Sequence, residues 1–308
     1  MRVTQAGFYN QAAQQLGKQQ AKVFETQAQL SSGKNILKPS DDPALATSIN
    51  KLKSQIDVNQ RYLTNLERMQ DTLKMQESSI TNAVDVVARI KELSVQAAND
   101  TYNASDRKSI AIEVGELISS LTDLGNMRGT DGAYLFSGYS QGQPPFSQSS
   151  SGVVTYTGST DALKVMVDEG RSMQLGVPGS DVFGTVVHQN QSTGTTSRIE
   201  LFSTLSAMHE ALVTNDSDGI RSGLDKVTSV HEHIITQQSN IGSRMQRIET
   251  LTHAVEDRDY TYKILQSNME DLDYVAAASR LKTQSLALQA GQQTFTQLSE
   301  LSLFKYIR

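Results

Sequence analysis

Large apolar residues recur every seventh position near the start of the chain, at Tyr9, Leu16, Val23 and Leu30. The companion positions three or four residues on hold Ala12 and Ala13, Gln19 and Gln20, Thr26 and Gln27, so the seam is half filled. The spacing predicts a helix over residues 5–32 with one good stripe. Near the other end the same rhythm returns as Tyr274, Leu281, Leu288 and Phe295, with Ala277, Gln284 and Gly291 between them. A helix so thinly striped is marginal in water, because helical stability in proteins comes mostly from packing an apolar face. The two ends therefore read as helices that pair with each other or pack against copies of themselves.

Between these ends the pattern is mainly helical. From Ala44 to Ala98 a long run carries Ile49, Leu52, Ile56, Leu63, Leu66, Leu73, Ile80, Val84 and Val87 at heptad positions, interrupted by Asn59, Gln70 and Glu77. Roughly 50 residues of helix extend about 75 Å, which describes a rod. The stretch NDTYNASD is a turn with Ser105 or Asp106 as the next N-cap, and a further helix to about Asn126 folds back as a hairpin. Gly, Ser and Pro then break the helical rhythm. The runs VVTYTG (Val153–Gly158), LKVMV (Leu163–Val167) and SMQLGV (Ser172–Val177) predict strands, so residues 131–190 read as a small β-rich insertion. His188–Ser197 reads as a polar linker, and helix resumes near Ser197, broken at Asp216–Gly219. Leu224, Val227, Val230, Ile234, Ile235, Ile241, Met245, Ile248 and Leu251 mark the next amphipathic run.

The joint between the first two helices, LSSGKNILKPSDDPA (Leu30–Ala44), is written in start and stop signals. Gly33 suits the left-handed position that ends a helix. Pro39 pushes Lys38 into extended backbone. Asp42 is a good N-cap and Pro43 fits the first helical position, while Asp41 and Asp42 also suit the positive end of the helix dipole. The stretch reads either as an ordinary interhelix loop or as a dedicated connector.

Composition sharpens this picture. Of 308 residues 37% are hydrophobic, with a mean hydropathy of -0.39 and neither Cys nor Trp, which suits elongated helices with thin cores. The net charge of -5 gives no general attraction to nucleic acid or anionic membrane. No window approaches the apolar length of a membrane span, so no membrane insertion is expected. The N-terminus lacks the apolar core of a cleavable signal peptide, and by that signal alone the protein reads as cytosolic. Without Cys there is no disulfide framework and no Cys-based zinc site. The histidines at 188, 209, 231, 233 and 253 read as solvated helix residues, and no metal site is expected from them. No phosphate loop, dinucleotide fingerprint or nucleophile elbow occurs, so neither catalytic residues nor cofactors are assigned and the chain is not expected to be an enzyme. The tripeptides at Asn99, Asn103, Asn190 and Asn215 that fit a glycosylation acceptor are ordinary in a chain so rich in Ser and Thr.

Three stretches resemble the bacterial flagellin superfamily. LSSGKNILKPSDDPA is similar to its N-terminal signature, RIKELSVQAANDTYNASDRKSIAIEVGELISSL (Arg89–Leu121) to the segment after its first long helix, and MEDLDYVAAASRLKTQSLALQAG (Met269–Gly291) to its C-terminal region. The KPSDDPA form of the joint, GTDGAYLFSG, VPGSDVF and the ending LSLFKYIR resemble the hook–filament junction branch more than flagellin itself, although Lys305 stands where an acid is more usual. The resemblance implies a mainly α fold: a long antiparallel helical rod with a small β-rich inserted domain and terminal helices disordered in the monomer. It implies terminal inner-tube helices at 1–40 and 270–308, a helical rod at 41–130 and 198–269, and the β-rich insertion with its linker at 131–197. Tyr9, Leu16, Val23, Leu30, Leu281, Leu288, Phe295, Leu298, Leu301 and Leu303 become subunit-interface residues, buried only between subunits. Gly33, Pro39, Asp41, Asp42 and Pro43 become an interlayer joint. The implied partners are copies of itself in a ring, the first hook-associated protein, flagellin, and the flagellar export chaperone and export apparatus. The implied location is the extracellular flagellum, reached without a cleavable signal. A short flagellin and an unrelated cytosolic coiled-coil scaffold are the competing readings.

Overall fold

The structure, a computed structural model, describes residues 2–149, 152–189 and 194–304, without the side chains of 2–6, 8 and 298–304. The chain divides into two compact units, one of residues 1–58 with 258–308 and one of residues 59–257. Long helices dominate: α1 (Arg2–Ser32), α2 (Pro43–Ala97), α3 (Ala104–Gly125), α6 (Ser217–Glu270) and α7 (Tyr274–Phe304). The short helices are α4 (Gly179–Val182) and α5 (Leu201–Val213).

In the second unit α2 and α3 form the expected antiparallel hairpin. Ser79 Oγ donates to the Leu124 carbonyl, Arg89 pairs with Glu113, and Arg107 donates to the Ala97 carbonyl, in steadily opposed register. The cap differs from the expectation. Asn103, not Ser105 or Asp106, is the N-cap of α3, and its Oδ1 accepts from the Ser105 and Asp106 N–H groups while Asp106 reaches back to the Asn103 N–H. This capping box satisfies orphan donors from both sides. Arg107, 5% exposed, lies directly behind it and also donates to Asn215 Oδ1 and Ser217 Oγ, so one guanidinium ties the α2–α3 turn to the α5–α6 turn. Leu66, Leu73, Ile80 and Val87 of α2, Val114 and Leu121 of α3, Leu205 and Leu212 of α5, and Val227, Ile234 and Ile241 of α6 fill one continuous core. Asn59, read as a seam interruption, is buried and donates to the Val255 carbonyl.

Among the described residues the insertion is three separate antiparallel hairpins rather than one sheet. β1 (Phe146–Gln148) pairs with β2 (Val154–Tyr156), β3 (Lys164–Asp168) with β4 (Arg171–Gln174), and β5 (Thr185–Gln189) with β6 (Thr196–Glu200). The supposed linker at His188–Ser197 is corrected by this last pair: His188 and Gln189 are in β5 and Thr196 and Ser197 in β6, while residues 190–193 lie outside the described residues. Helix therefore resumes at Leu201, after β6. His188 departs from the solvated-helix expectation too, being 4% exposed with Nδ1 2.9 Å from Ser229 Oγ. It faces inward because β5 alternates, turning Val186 and His188 to the core.

An aromatic cluster anchors the insertion. Phe183 meets Phe136 and Phe146 edge to face at centroid distances of 5.3 and 5.6 Å, and Phe146 lies 5.3 Å from Phe202 of α5. Gln76 of α2 adds a polar staple. Its Nε2 donates to the Leu135 and Val177 carbonyls and its Oε1 accepts from the Val177 N–H. Fully buried, it satisfies backbone groups on both flanks of the insertion.

Candidate assembly site

In the first unit, α1 and α7 pack along each other in antiparallel register. Thr26 Oγ1 donates to Gln284 Oε1 at 2.9 Å, Leu16 lies against Gly291, and Tyr9 meets Phe295 edge to face with ring centroids 6.0 Å apart. Among the described side chains the covered positions of α1 are Tyr9, Ala12, Leu16, Gln19, Val23, Thr26 and Leu30, with Gln29 beside the last; those of α7 are Ala277, Leu281, Gln284, Leu288, Gly291 and Phe295. Alternating steps of three and four are the signature of a coiled-coil seam. The small and polar companions that looked like defects are where the large residues of the opposite helix fit. Sequence left open whether the ends pair with each other, and in the structure they do. Tyr9, Leu16, Val23, Leu30, Leu281, Leu288 and Phe295 are thereby half-buried within one chain, which corrects the expectation that they are covered only between subunits. The side chains of Leu298, Leu301 and Leu303 lie outside the described residues.

The pair leaves much apolar surface uncovered. Phe24 of α1 is 60% exposed, and on α7 Val275 is 82% and Leu286 58% exposed. Sequence reasoning missed these residues because they lie off the heptad stripe; the available signal was that the apolar residues of α7 encircle the helix instead of keeping to one face. Beside the seam, an apolar groove of about 370 Å³ is lined by Ala12, Leu16, Ala287, Gly291 and Phe295 together with Gln15, Gln19 and Thr294.

The joint follows its sequence signals closely. Gly33 has φ +70° and its N–H bonds to the Gln29 carbonyl, closing α1. Asp42 Oδ1 accepts from the Leu45 N–H at 3.0 Å, and Pro43 opens α2. One expectation changes: the link is not simply extended. Lys38–Asp41 is a turn, with the Asp41 N–H on the Lys38 carbonyl, the Lys38 N–H on Asp41 Oδ2, and Pro39 preset at its second position.

The link also binds the α6–α7 connection. The Asn35 N–H donates to the Glu270 carbonyl at 2.8 Å and the Leu272 N–H to the Gly33 carbonyl at 2.9 Å. Glu270, at the C-terminus of α6, takes Lys34 Nζ at 2.7 Å and Lys53 Nζ at 3.1 Å on Oε1, and Gln266 Nε2 at 2.9 Å on Oε2. The Lys34 hydrogen bond, then that of Gln266, outweigh burial and hold this carboxyl at about 2; in return Glu270 raises the Lys34 ammonium above its usual value. Three residues on, Asp273 caps α7 by accepting from the Val275 and Ala276 N–H groups. Tyr274 lies against Gly33 so closely that a β-carbon there would sit 2.7 Å from its hydroxyl.

Among the described residues no group of His, Cys, Asp and Glu is arranged to hold a metal ion, and no helix is long and apolar enough to cross a membrane. What the arrangement can do is associate.

Residues 3–141 match the family model for the bacterial flagellin N-terminal helical region, and residues 224–307 that for the bacterial flagellin C-terminal helical region. The chain is 27% identical to flagellar hook-associated protein 3 of Escherichia coli (strain K12) over 317 residues, covering 99% of each chain. It is 32% identical to the flagellar filament 33 kDa core protein of Treponema phagedenis over 127 residues, 41% of this chain and 44% of that one. In fold it is similar to FlgL of Xanthomonas campestris, with a TM-score of 0.63 at 20% identity over 70% of this chain and 99% of that one.

Proposed function

Since the chain belongs to the bacterial flagellin family, we propose that it is a structural subunit of the bacterial flagellum that joins hook to filament. The observation that carries this reading is the extent of the likeness. The hook-associated protein 3 aligns at 27% identity over 99% of this chain, whereas filament proteins align either over less of it, 41% for that of Treponema phagedenis, or at lower identity, 23% over 92% for the flagellar filament 41 kDa core protein of Borreliella burgdorferi. The second reading, a short flagellin forming the filament itself, rests on the shared terminal regions and on filament proteins that align over 90% and 92% of the chain.

The mechanism is coupled folding and polymerisation. A lone pair of helices with a single half-filled seam is weakly held, because only one side of each is packed. Covering side chains such as Val275, Leu286 and Phe24 with neighbouring copies contributes about 1.5–3 kcal/mol each. Assembly thus completes the folding of α1 and α7, while the second unit, with its own core, stays folded throughout. In this reading residues 1–40 and 270–308 form the inner tube, 41–130 and 198–269 the rod layer, and 131–197 the insertion. The link at Gly33, Pro39, Asp41, Asp42 and Pro43 is the spoke between layers. The subunits form a ring with the first hook-associated protein on one side and flagellin on the other. Export uses the flagellar export chaperone and apparatus without removal of a leader, and the role is structural, not catalytic.

Deleting the gene in its host tests this. Bare hooks with abundant flagellin shed into the medium are expected. Bare hooks with no shed flagellin would make this chain the filament subunit, and unchanged filaments would overturn the junction reading.

A further inference from the structure

The α1–α7 seam does not specify its own register. Each helix has 31 residues and repeats the same large-small alternation every seven, so a slip of one heptad again places large residues opposite small ones. Even the polar pair is not unique, because that slip brings Gln19 opposite Gln284 in place of Thr26. One heptad is about 10.5 Å of helix. Something outside the seam fixes which of these pairings forms.

Glu270 is placed to do so. A carboxylate at a helix C-terminus lies against the negative end of the dipole and destabilises its own helix. It is compensated by Lys34 from the α1–α2 link and Lys53 from α2, so three chain segments converge on one charge. Its backbone carbonyl accepts from Asn35, and α7 begins only four residues later. α1 ends one residue before Gly33, whose carbonyl holds Leu272. Both terminal helices therefore leave from a single pinned point.

We infer that Glu270 is the positioning residue of the terminal pair, setting the register in which α1 and α7 zip together. The inference rests on the reading of α1 and α7 as the assembling element. It predicts that charge, rather than hydrogen-bonding shape, is what matters at position 270. Glu270→Gln keeps the shape and an acceptor oxygen but gives up the attraction to two ammonium groups, whereas Glu270→Asp keeps the charge.

The full-length chain has no cysteine, so introduced pairs report cleanly. Leu16→Cys with Gly291→Cys marks the observed register, and Tyr9→Cys with Gly291→Cys marks the slipped one. Disulfide formation in each pair is followed on purified chain in the parent, Glu270→Gln and Glu270→Asp backgrounds, with the thermal transition of the second unit as the folding control. The parent is expected to crosslink in the observed register, Glu270→Gln to gain the slipped crosslink several-fold, and Glu270→Asp to restore the parent pattern. A Glu270→Gln chain with the parent pattern overturns the inference, as does a Glu270→Asp chain that behaves like Glu270→Gln. A parent that crosslinks in neither register has no terminal pair to position and overturns it as well. None of these outcomes depends on the gene-deletion result, so failure here and failure of the junction reading are told apart.

Discussion

Leu16 closes over the bare backbone of Gly291. A β-carbon at Gly291 would lie 3.0 Å from Leu16 Cδ2, with no other heavy atom of the described residues outside its own helix within 4 Å. The packing of the two terminal helices at this level thus depends on one missing side chain opposite one flexible one.

That relationship separates two substitutions at the same site. Gly291→Ala gains roughly 1 kcal/mol of helix propensity, and the end of Leu16 moves by a few tenths of an ångström, so little net change is expected. Gly291→Val forces branched bulk against Leu16 and costs about 1–3 kcal/mol as overpacking. Far-ultraviolet circular dichroism of the full chain should show lost helix in Gly291→Val alone, with the transition of the second unit unmoved.

Seam and outer surface should also part company. Leu288→Asp buries a charge in the seam and is expected to reduce helix content in the lone chain and to block assembly. Leu286→Asp changes a residue already 58% exposed and should leave the lone chain as it is while still blocking assembly. Circular dichroism combined with electron microscopy of complemented cells checks both. Normal filaments on the Leu286→Asp background would remove the outer face of α7 from the interface.

Gln76→Leu tests the staple beneath the β-rich insertion. Its side chain serves two carbonyls and one N–H with no exposure to water, so removal strands buried polar groups at about 1–3 kcal/mol. Denaturant unfolding should show a lowered midpoint at unchanged slope, and an unchanged midpoint would mean that water replaces the amide.

These residues differ in how far the sequence announced them. The joint was legible because Gly33, Asp42 and Pro43 act through local backbone rules that hold wherever a helix stops or starts. The heptad stripes were legible for the same reason, being a periodicity. Gln76 was invisible, since its partners Leu135 and Val177 lie far along the chain and nothing in a helical pattern marks one glutamine among many. The β5–β6 hairpin was misread because its residues are polar and its inward positions, Val186 and His188, are too few to show alternation. Asn103 lost to its neighbours Ser105 and Asp106 because all three are good caps, and only the reciprocal bond from Asp106 decides among them.

The pH dependence of the terminal pair follows from Glu270. Its carboxyl is held at about 2 against an ordinary 4.5, so its contribution is fully present above the ordinary value and is lost as pH falls from 4.5 toward 2. Other carboxylates titrate in the same range, so the informative quantity is the difference in helix content of the full chain, read by circular dichroism, between the parent and Glu270→Gln. It should be constant from neutral pH down to about 5 and vanish on approach to pH 2. A difference that disappears between about pH 6 and pH 8 would place the control elsewhere.

The hydrogen bond from Thr26 to Gln284 joins residues 258 positions apart, whereas Ser147 and Thr155 of the first hairpin are separated by 8. Hairpins of that kind close as soon as their own residues are available, while long-range pairs must wait for the intervening chain. A chain delivered from its N-terminus therefore presents α1 first and leaves it without its partner until nearly every other residue has arrived. Of the described helices, α1 is thus the one that waits longest between being made and being packed.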